Sequence, residues 1–373
     1  MKKTLSLFSA CLVTVGLFAQ LPVSTSPSNR NVLLEDLTGI YCGYCPDGAL
    51  KADQLKASAP SQIIIIGNHA GSYATPNGSP GHWDFRTPEG AAINSNSDPS
   101  GYPAGNINRE VTNYSMKAGK TAMSRGYWAT VAGQIITEPS PANLAVEAYY
   151  YPGSNKLMVN VEGYYTSNGT GSDYLTVAVL QDDIEGYQSG MSGYPARITT
   201  NNLYLHKDVL RKYLTSPVFG EEVSTTSMGE LFTWSQEYTV AQVGDVMPDI
   251  TKMKVAVWLT EDAGYSPVIT AVETNAAERP VGINEAASLN NLSIFPNPFQ
   301  NNTTISFDLD KDQQIAMNFY DVTGKVVQQV ASTNYSAGAH LIQFDGSDLQ
   351  GGLYYVNIVA EDGIITRRIV LNK

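Results

Sequence analysis

The chain has 373 residues, 43% apolar and 16% charged, which is enough apolar material for a buried core spread over two or three domains. Its formal net charge of -12 repels phosphate backbones and anionic lipid, so nucleic acid is excluded as a natural partner.

The N-terminus reads as a targeting segment. Lys2 and Lys3 precede an apolar run from Leu5 to Phe18, and Leu17-Phe18-Ala19 before Gln20 has the pattern of a signal-peptidase cut, so residues 1–19 are assigned as a signal peptide. The run is shorter than the roughly 20 apolar residues of a helical membrane span, and no transmembrane segment is expected elsewhere. Cys11 leaves with the leader, and Cys42 and Cys45 remain as the only cysteines of an exported protein.

After a Ser/Pro-rich lead-in, Asn31 to Asp36 reads as a buried strand. Cys42-Gly43-Tyr44-Cys45 follows where a turn becomes a helix over residues 46–57. A bridge across two intervening residues closes almost no loop and gains little chain entropy, so the spacing favours a redox dithiol over a structural staple. At a helix N-terminus, unpaired N–H groups and the macrodipole favour a thiolate, which makes Cys42 the attacking sulfur. Gln62 to Gly67 contains four consecutive isoleucines, as expected of a strand covered on both faces, and completes a βαβ unit. From His69 to Asp98 the chain is rich in Gly, Ser, Asn and Pro, with one short helix opened by Thr87-Pro88-Glu89. Lys120 to Ile136 reads as an amphipathic helix.

From Pro141 to Val272 the hydrophobic period becomes two, as in Leu144, Val146 and Ala148 or Val255, Val257 and Leu259, with Gly/Asn/Ser turns between short strands. One insertion interrupts it: Leu205, Val209, Leu210, Tyr213 and Leu214 have helical spacing. Asn275 to Asn290 is a polar linker. Beyond it Ile305, Phe307 and Leu309 alternate, and Asp321 to Gly324 supplies a hairpin turn.

The phrase from Leu34 to Pro46, together with Tyr102-Pro103-Ala104-Gly105, resembles the Omp-twenty-eight-related family of Bacteroidota outer-membrane proteins, and residues 31–135 resemble a thioredoxin fold. The resemblance implies that Cys42 attacks a substrate disulfide, that Cys45 resolves the mixed disulfide, and that Asp36 is a buried acid that takes the proton from Cys45. It also implies that Pro103 is a cis-proline beside the dithiol, with Tyr102, Gly43 and Tyr44 completing the substrate-binding surface. Tyr41 departs from the usual Trp before the dithiol. Tyr44 stands where thioredoxins have Pro, a change that goes with a more oxidising couple. Four further phrases resemble, in order, the type A C-terminal sorting domain of type IX secretion substrates: Leu292 to Phe299, Phe319 to Lys325, Gly352 to Val356 and Arg367 to Lys373. That implies passage through the periplasm to the outer cell surface or release, with the type IX secretion machinery as a partner.

The fold expected is therefore an α/β thioredoxin-like domain over 30–138, a β-sandwich over 140–276 with a helical insertion, a linker over 277–290, and a C-terminal β-sandwich sorting domain over 291–373. The function expected is thiol-disulfide exchange with protein disulfides or thiols. Its rival is a non-enzymatic surface binding protein or adhesin that presents the loop from Tyr73 to Asn96, with Trp83 and Phe85, to a host or surface ligand. No cofactor and no metal are called for. Cys42 and Cys45 with His69 or His82 lack the second regularly spaced pair of a zinc site, and Asp308, Asp310 and Asp312 meet Gln313 where a calcium loop needs Gly. His206, Lys207, Asp208 and Arg211 read as the wet face of the inserted helix.

Overall fold

The computed structural model describes residues 23–151, 155–169, 171–278, 289–322, 324–361 and 363–373. The signal peptide of residues 1–19, with Cys11, and most of the linker of residues 277–290 lie outside them. The chain forms two units, Leu21–Arg279 and a C-terminal one that begins at Pro280.

In the first unit, strands β1 (Val32–Thr38) and β2 (Ile63–His69) pair in parallel on either side of helix α1 (Cys45–Ser58), and every residue of both strands is buried. The isoleucine run feeds two cores by alternation. Ile63 and Ile65 pack with Ala52 and Leu55 of α1 and with Trp128, Val131 and Ile135 of α3 (Trp128–Ile135). Ile64 and Ile66 pack on the opposite face, where Ile93 of α2 (Pro88–Ser97) meets them. Thr87 caps α2 by accepting a 3.0 Å bond from the Gly90 N–H, with Pro88 at the first helical position. Strand β3 (Ala104–Ile107) lies antiparallel on the free side of β1, and β4 (Met123–Ser124) follows it.

The sheet does not stop at β2. It runs on through β10 (Val209–Tyr213), β7 (Asp173–Gln181), β13 (Met253–Glu261) and β14 (Val268–Asn275), with β11 (Glu221–Glu222) beside β7, to make nine strands. The joint is at Gly67, whose N–H donates to the Asp208 carbonyl at 2.7 Å; a Cβ there would lie 3.0 Å from the Lys207 carbonyl oxygen, tighter than most side chains approach, so glycine suits this position. A second sheet, in the order β12 (Leu231–Thr239), β6 (Lys156–Tyr165), β5 (Ala142–Tyr151) and β15 (Ala277–Glu278), packs on the β7–β13 region through Leu157, Val159, Val161, Val177, Val255 and Val257. Strands β8 (Ile184–Gly186) and β9 (Tyr204–His206) form a separate two-stranded ladder.

This architecture corrects the expected fold class. Among the described residues strand makes up 47% and helix 13%, with three α-helices, and the protein is mostly β rather than an α/β thioredoxin-like domain followed by two sandwiches. The physical reason is the joint at Gly67. The βαβ unit has no sheet edge of its own on that side, because hydrogen bonding continues into strands that come later in the chain. The helical insertion is also corrected, since Tyr204–His206 and Val209–Tyr213 are strands. β10 is buried on both faces and carries an irregularity between Leu210 and Lys212, so its apolar residues lose the period of two and imitate helical spacing. His206 and Arg211 are accordingly buried rather than on a wet face. Of the helix expected over residues 120–136, α3 is the helical part, and β4 occupies Met123–Ser124.

The C-terminal unit has two sheets. One is ordered β16 (Leu289–Phe295), β17 (Asn302–Leu309) and β20 (Gly338–Asp345); the other is ordered β19 (Val326–Tyr335), β18 (Gln313–Asp321), β21 (Gly352–Ala360) and β22 (Gly363–Leu371). Ile305, Phe307 and Leu309 of the first meet Ile315, Met317, Phe319, Val356 and Ile358 of the second in one core. The turn after β18 is closed by the Gly324 N–H donating to the Asp321 carbonyl at 3.0 Å.

Candidate functional site

Beyond β1 the chain turns at Gly39 to Cys42, where the Cys42 N–H donates to the Gly39 carbonyl at 3.0 Å, and α1 starts at Cys45. Pro46 suits the first turn of the helix because it has no N–H to satisfy, and Asp47 is the acidic residue of that turn. Cys42 and Cys45 are joined as a disulfide, with their Cα atoms 5.3 Å apart. The two residues are 3% and 2% exposed, while Tyr44 between them is 73% exposed. Hydrogen bonding from Arg125 and then from Tyr194 holds the Asp47 carboxyl below its usual range.

Pro103 follows a cis peptide bond from Tyr102 and packs onto the first turns of α1, where a Cβ on Gly48 would lie 2.7 Å from the Pro103 Cβ. The Tyr102 hydroxyl donates to Asn94 Oδ1 at 2.6 Å, and its ring meets Tyr73 edge-on at 5.8 Å. The structure thus brings Cys42, Gly43, Tyr44, Cys45 and Pro103 to one end of α1. Asp36 is in the middle of β1, opposite Gly67 and Gly105, and is not hydrogen-bonded to either cysteine. It is buried with Oδ1 unpartnered among the described residues. Burial pushes its carboxyl up to about 7, against the attraction of Arg197 and with the help of Asp208 and Asp53.

A segment from 146 residues further on packs against the turn that carries the disulfide. Gln188 Nε2 donates to the Cys42 carbonyl at 3.0 Å and to the Gly39 carbonyl at 3.3 Å, and the Ser189 N–H donates to the Ile40 carbonyl at 2.8 Å. Gly190 lies directly on Gly43: at φ +76°, a Cβ on Gly190 would be 2.1 Å from the Gly43 carbonyl oxygen. The strap Tyr187–Gly190 is held from beneath by His82, which stacks on the Tyr187 ring at 4.0 Å and shares a 2.8 Å hydrogen bond with the Tyr41 hydroxyl. Seven residues past the strap, Arg197 ties the same excursion to α1 by a two-point ion pair with Asp53, at 2.6 and 3.1 Å. Sequence reasoning missed Gln188, Ser189, Gly190 and Arg197. The one local trace of the strap is the pair of Ser-Gly steps at Ser189-Gly190 and Ser192-Gly193, which does not indicate what it touches.

The loop from Tyr73 to Asn96 turns Trp83 and Phe85 inward, while Tyr73 stays exposed. Phe85 is buried with Ile40, Ile184 and Val209, and Trp83 donates to the Glu185 carbonyl at 2.7 Å. His69 and His206 pack edge-on at 5.4 Å, each 4.8 Å from Phe85, and neither ring nitrogen of His69 has a partner in hydrogen-bond geometry among the described residues. Burial pushes His69 down to about 3, against the pull of the Gly67 carbonyl, and lowers His206 well below its ordinary value. Among the described residues no group of three or more His, Cys, Asp or Glu is placed to hold a metal ion. No helix among them is long and apolar enough to cross a membrane.

Residues 91–278 match the family described as outer membrane protein Omp28, and residues 293–372 match the secretion system C-terminal sorting domain. The Omp28 match takes in Tyr102, Pro103 and the strap but begins after the dithiol. Among solved structures the chain is similar to HBP35 of Porphyromonas gingivalis, with 18% identity over 92% of this chain and 99% of that one and a TM-score of 0.52, a likeness of fold. A domain of the outer membrane lipoprotein Omp28 from Porphyromonas gingivalis matches at 15% identity over 38% of this chain and 91% of that one, with a TM-score of 0.23. No curated protein matches the sequence.

Proposed function

We propose that this chain, which belongs to the outer membrane protein Omp28 family and is exported to the cell surface or secreted with a C-terminal sorting domain, carries out thiol-disulfide exchange at Cys42 and Cys45. The observation that carries the proposal is the convergence of the Cys42–Cys45 disulfide and Pro103 on the N-terminal turns of α1. From the oxidised pair, a substrate thiolate attacks Cys42 Sγ. The Cys42–Cys45 bond breaks, a substrate–Cys42 bond forms, and Cys45 leaves as a thiolate that takes a proton from Asp36. A second substrate thiolate attacks the substrate sulfur of this mixed disulfide and releases Cys42 as a thiolate, which the helix N-terminus stabilises. Two electrons pass from the substrate dithiol to the protein pair, and no further oxidant is needed for one turnover. Burial raises the Asp36 carboxyl to about 7, the range in which a group can lend and recover a proton at neutral pH.

The test is oxidation of a peptide dithiol by the full chain. The wild-type protein is expected to form the peptide disulfide in step with loss of its own, and Cys42→Ser to form none. A peptide dithiol oxidised no faster by the wild-type chain than by Cys42→Ser overturns the reading. The second reading, a surface binding protein without turnover, is favoured by the burial of both cysteines beside a 73% exposed Tyr44. On that reading, binding to a surface ligand survives Cys42→Ser and is lost in Tyr44→Ala.

A further inference from the structure

We infer that the strap Tyr187–Gly190 is a built-in occupant of the dithiol site, so that exchange at Cys42 requires the strap to lift. Its contacts take up backbone groups beside Cys42 that an incoming polypeptide would otherwise meet. It gives one backbone N–H to the Ile40 carbonyl and a side-chain amide to the Gly39 and Cys42 carbonyls, and it lays a bare Cα on Gly43 between the two cysteines. Only glycine fits at position 190, both because of its positive φ and because a Cβ would strike the Gly43 carbonyl. The strap contains no cysteine, so it fills the site without reacting.

The surrounding architecture allows such a movement. The strap belongs to an excursion between β8 and β9, whose ladder has three residue pairs and is joined to no other strand. The excursion can therefore swing away while the nine-stranded sheet keeps every one of its ladder bonds. What holds it closed is a limited set of contacts: the Gln188 amide, the Ser189 N–H, the Tyr187 N–H donating to the Gly81 carbonyl at 2.8 Å, the Tyr187 ring against His82 and Tyr41, a 3.2 Å contact between His206 Nε2 and the Tyr187 carbonyl, the hydrogen bond of Tyr194 with Asp47, and the ion pair of Arg197 with Asp53. Segments held by few contacts open locally far more often than the whole protein unfolds. The geometry of the strap stands without the exchange proposed above; its regulatory meaning rests on that reading.

The experiment measures the rate at which dithiothreitol reduces the Cys42–Cys45 bond in the native full chain, with the new thiols trapped by alkylation and counted by mass. Gln188→Ala removes the side-chain amide, and Gly190→Ala wedges the strap off Gly43. Each is expected to be reduced roughly tenfold faster than wild type, the scale set by losing the hydrogen bonds that keep one local segment closed. Gln188→Ala is the milder change and decides the matter if Gly190→Ala does not fold. Equal reduction rates in wild type and Gln188→Ala overturn the strap inference, even where the wild-type chain oxidises the peptide dithiol. Faster reduction of the variant with no peptide oxidation by either protein supports the strap and overturns the exchange reading instead.

Discussion

Asp36 and His69 are buried ionisable groups whose folded-state values move in opposite directions, and each ties stability to pH in its own window. For Asp36 the folded value of about 7 lies above the unfolded 3.8, so between those values the native state holds the extra proton, and stability falls as pH rises through the window. Asp36→Asn removes the ionisable group, and urea unfolding from pH 4 to 8 should show the variant gaining on wild type with rising pH, by about 2 to 4 kcal/mol at pH 8. A constant offset between the two proteins across that range would refute the assignment. His69 has the reverse sign. Its folded value of about 3 lies below the unfolded 6.5, so its contribution is intact above 6.5 and is lost as pH falls toward 3. His69→Leu, in a pocket already lined by Phe85 and His206, should resist acid better than wild type by about 3 kcal/mol at pH 4. Acid unfolding curves followed by tryptophan fluorescence would measure it.

At the scale of elements, the most stringent polar interaction is the ion pair that fastens β1 to the turn after β3. Arg109 Nη2 meets Glu35 Oε1 at 2.7 Å, both side chains are 1% exposed, and Asn106 Nδ2 donates to the other carboxylate oxygen at 3.0 Å. Tyr265, Phe219 and Trp258 surround the guanidinium, with the Tyr265 centroid at 4.7 Å. Removing one partner strands a buried charge, so Arg109→Met should lower unfolding stability by about 3 to 5 kcal/mol. The exposed pair of Arg86 with Asp84 should cost less than about 1 kcal/mol when Arg86 is changed to Ala. Denaturant midpoints of the two variants compare them directly. Strand β10 shows why element type was legible in some places and hidden in others. The isoleucines of β2 announce a strand buried on both faces because they are contiguous and β-branched. In β10, Leu210 and Arg211 are buried side by side next to an irregularity, and the spacing that remains imitates a helix.

At the scale of the whole molecule, export and the proposed thiol-disulfide exchange belong to different parts of the chain and can be tested separately. Residues 293–372 match a secretion sorting domain, so a chain lacking residues 291–373 should accumulate in the periplasm with its Cys42–Cys45 bond formed. Cell fractionation with blotting would measure this, and an unchanged share at the cell surface or in the medium would contradict it.

Much of the candidate site could be read from the order of residues, because its parts are local. Cys42, Cys45 and Pro46 stand within one turn, the helix start and the strand before it have their own signals, and Thr87-Pro88 marks a capped helix. The C-terminal alternation of Ile305, Phe307 and Leu309 likewise determined a strand by itself. Two things were decided only by the tertiary structure. The joint at Gly67 merges the βαβ unit with strands more than a hundred residues away, and the strap at Gln188 to Gly190 closes over a dithiol 146 residues before it. The joint depends on bare backbone meeting bare backbone, and the strap adds to such contacts one side-chain amide, that of Gln188. A glycine records in the sequence that something comes close, but hydrogen bonds between peptide groups carry no side-chain signature to say what.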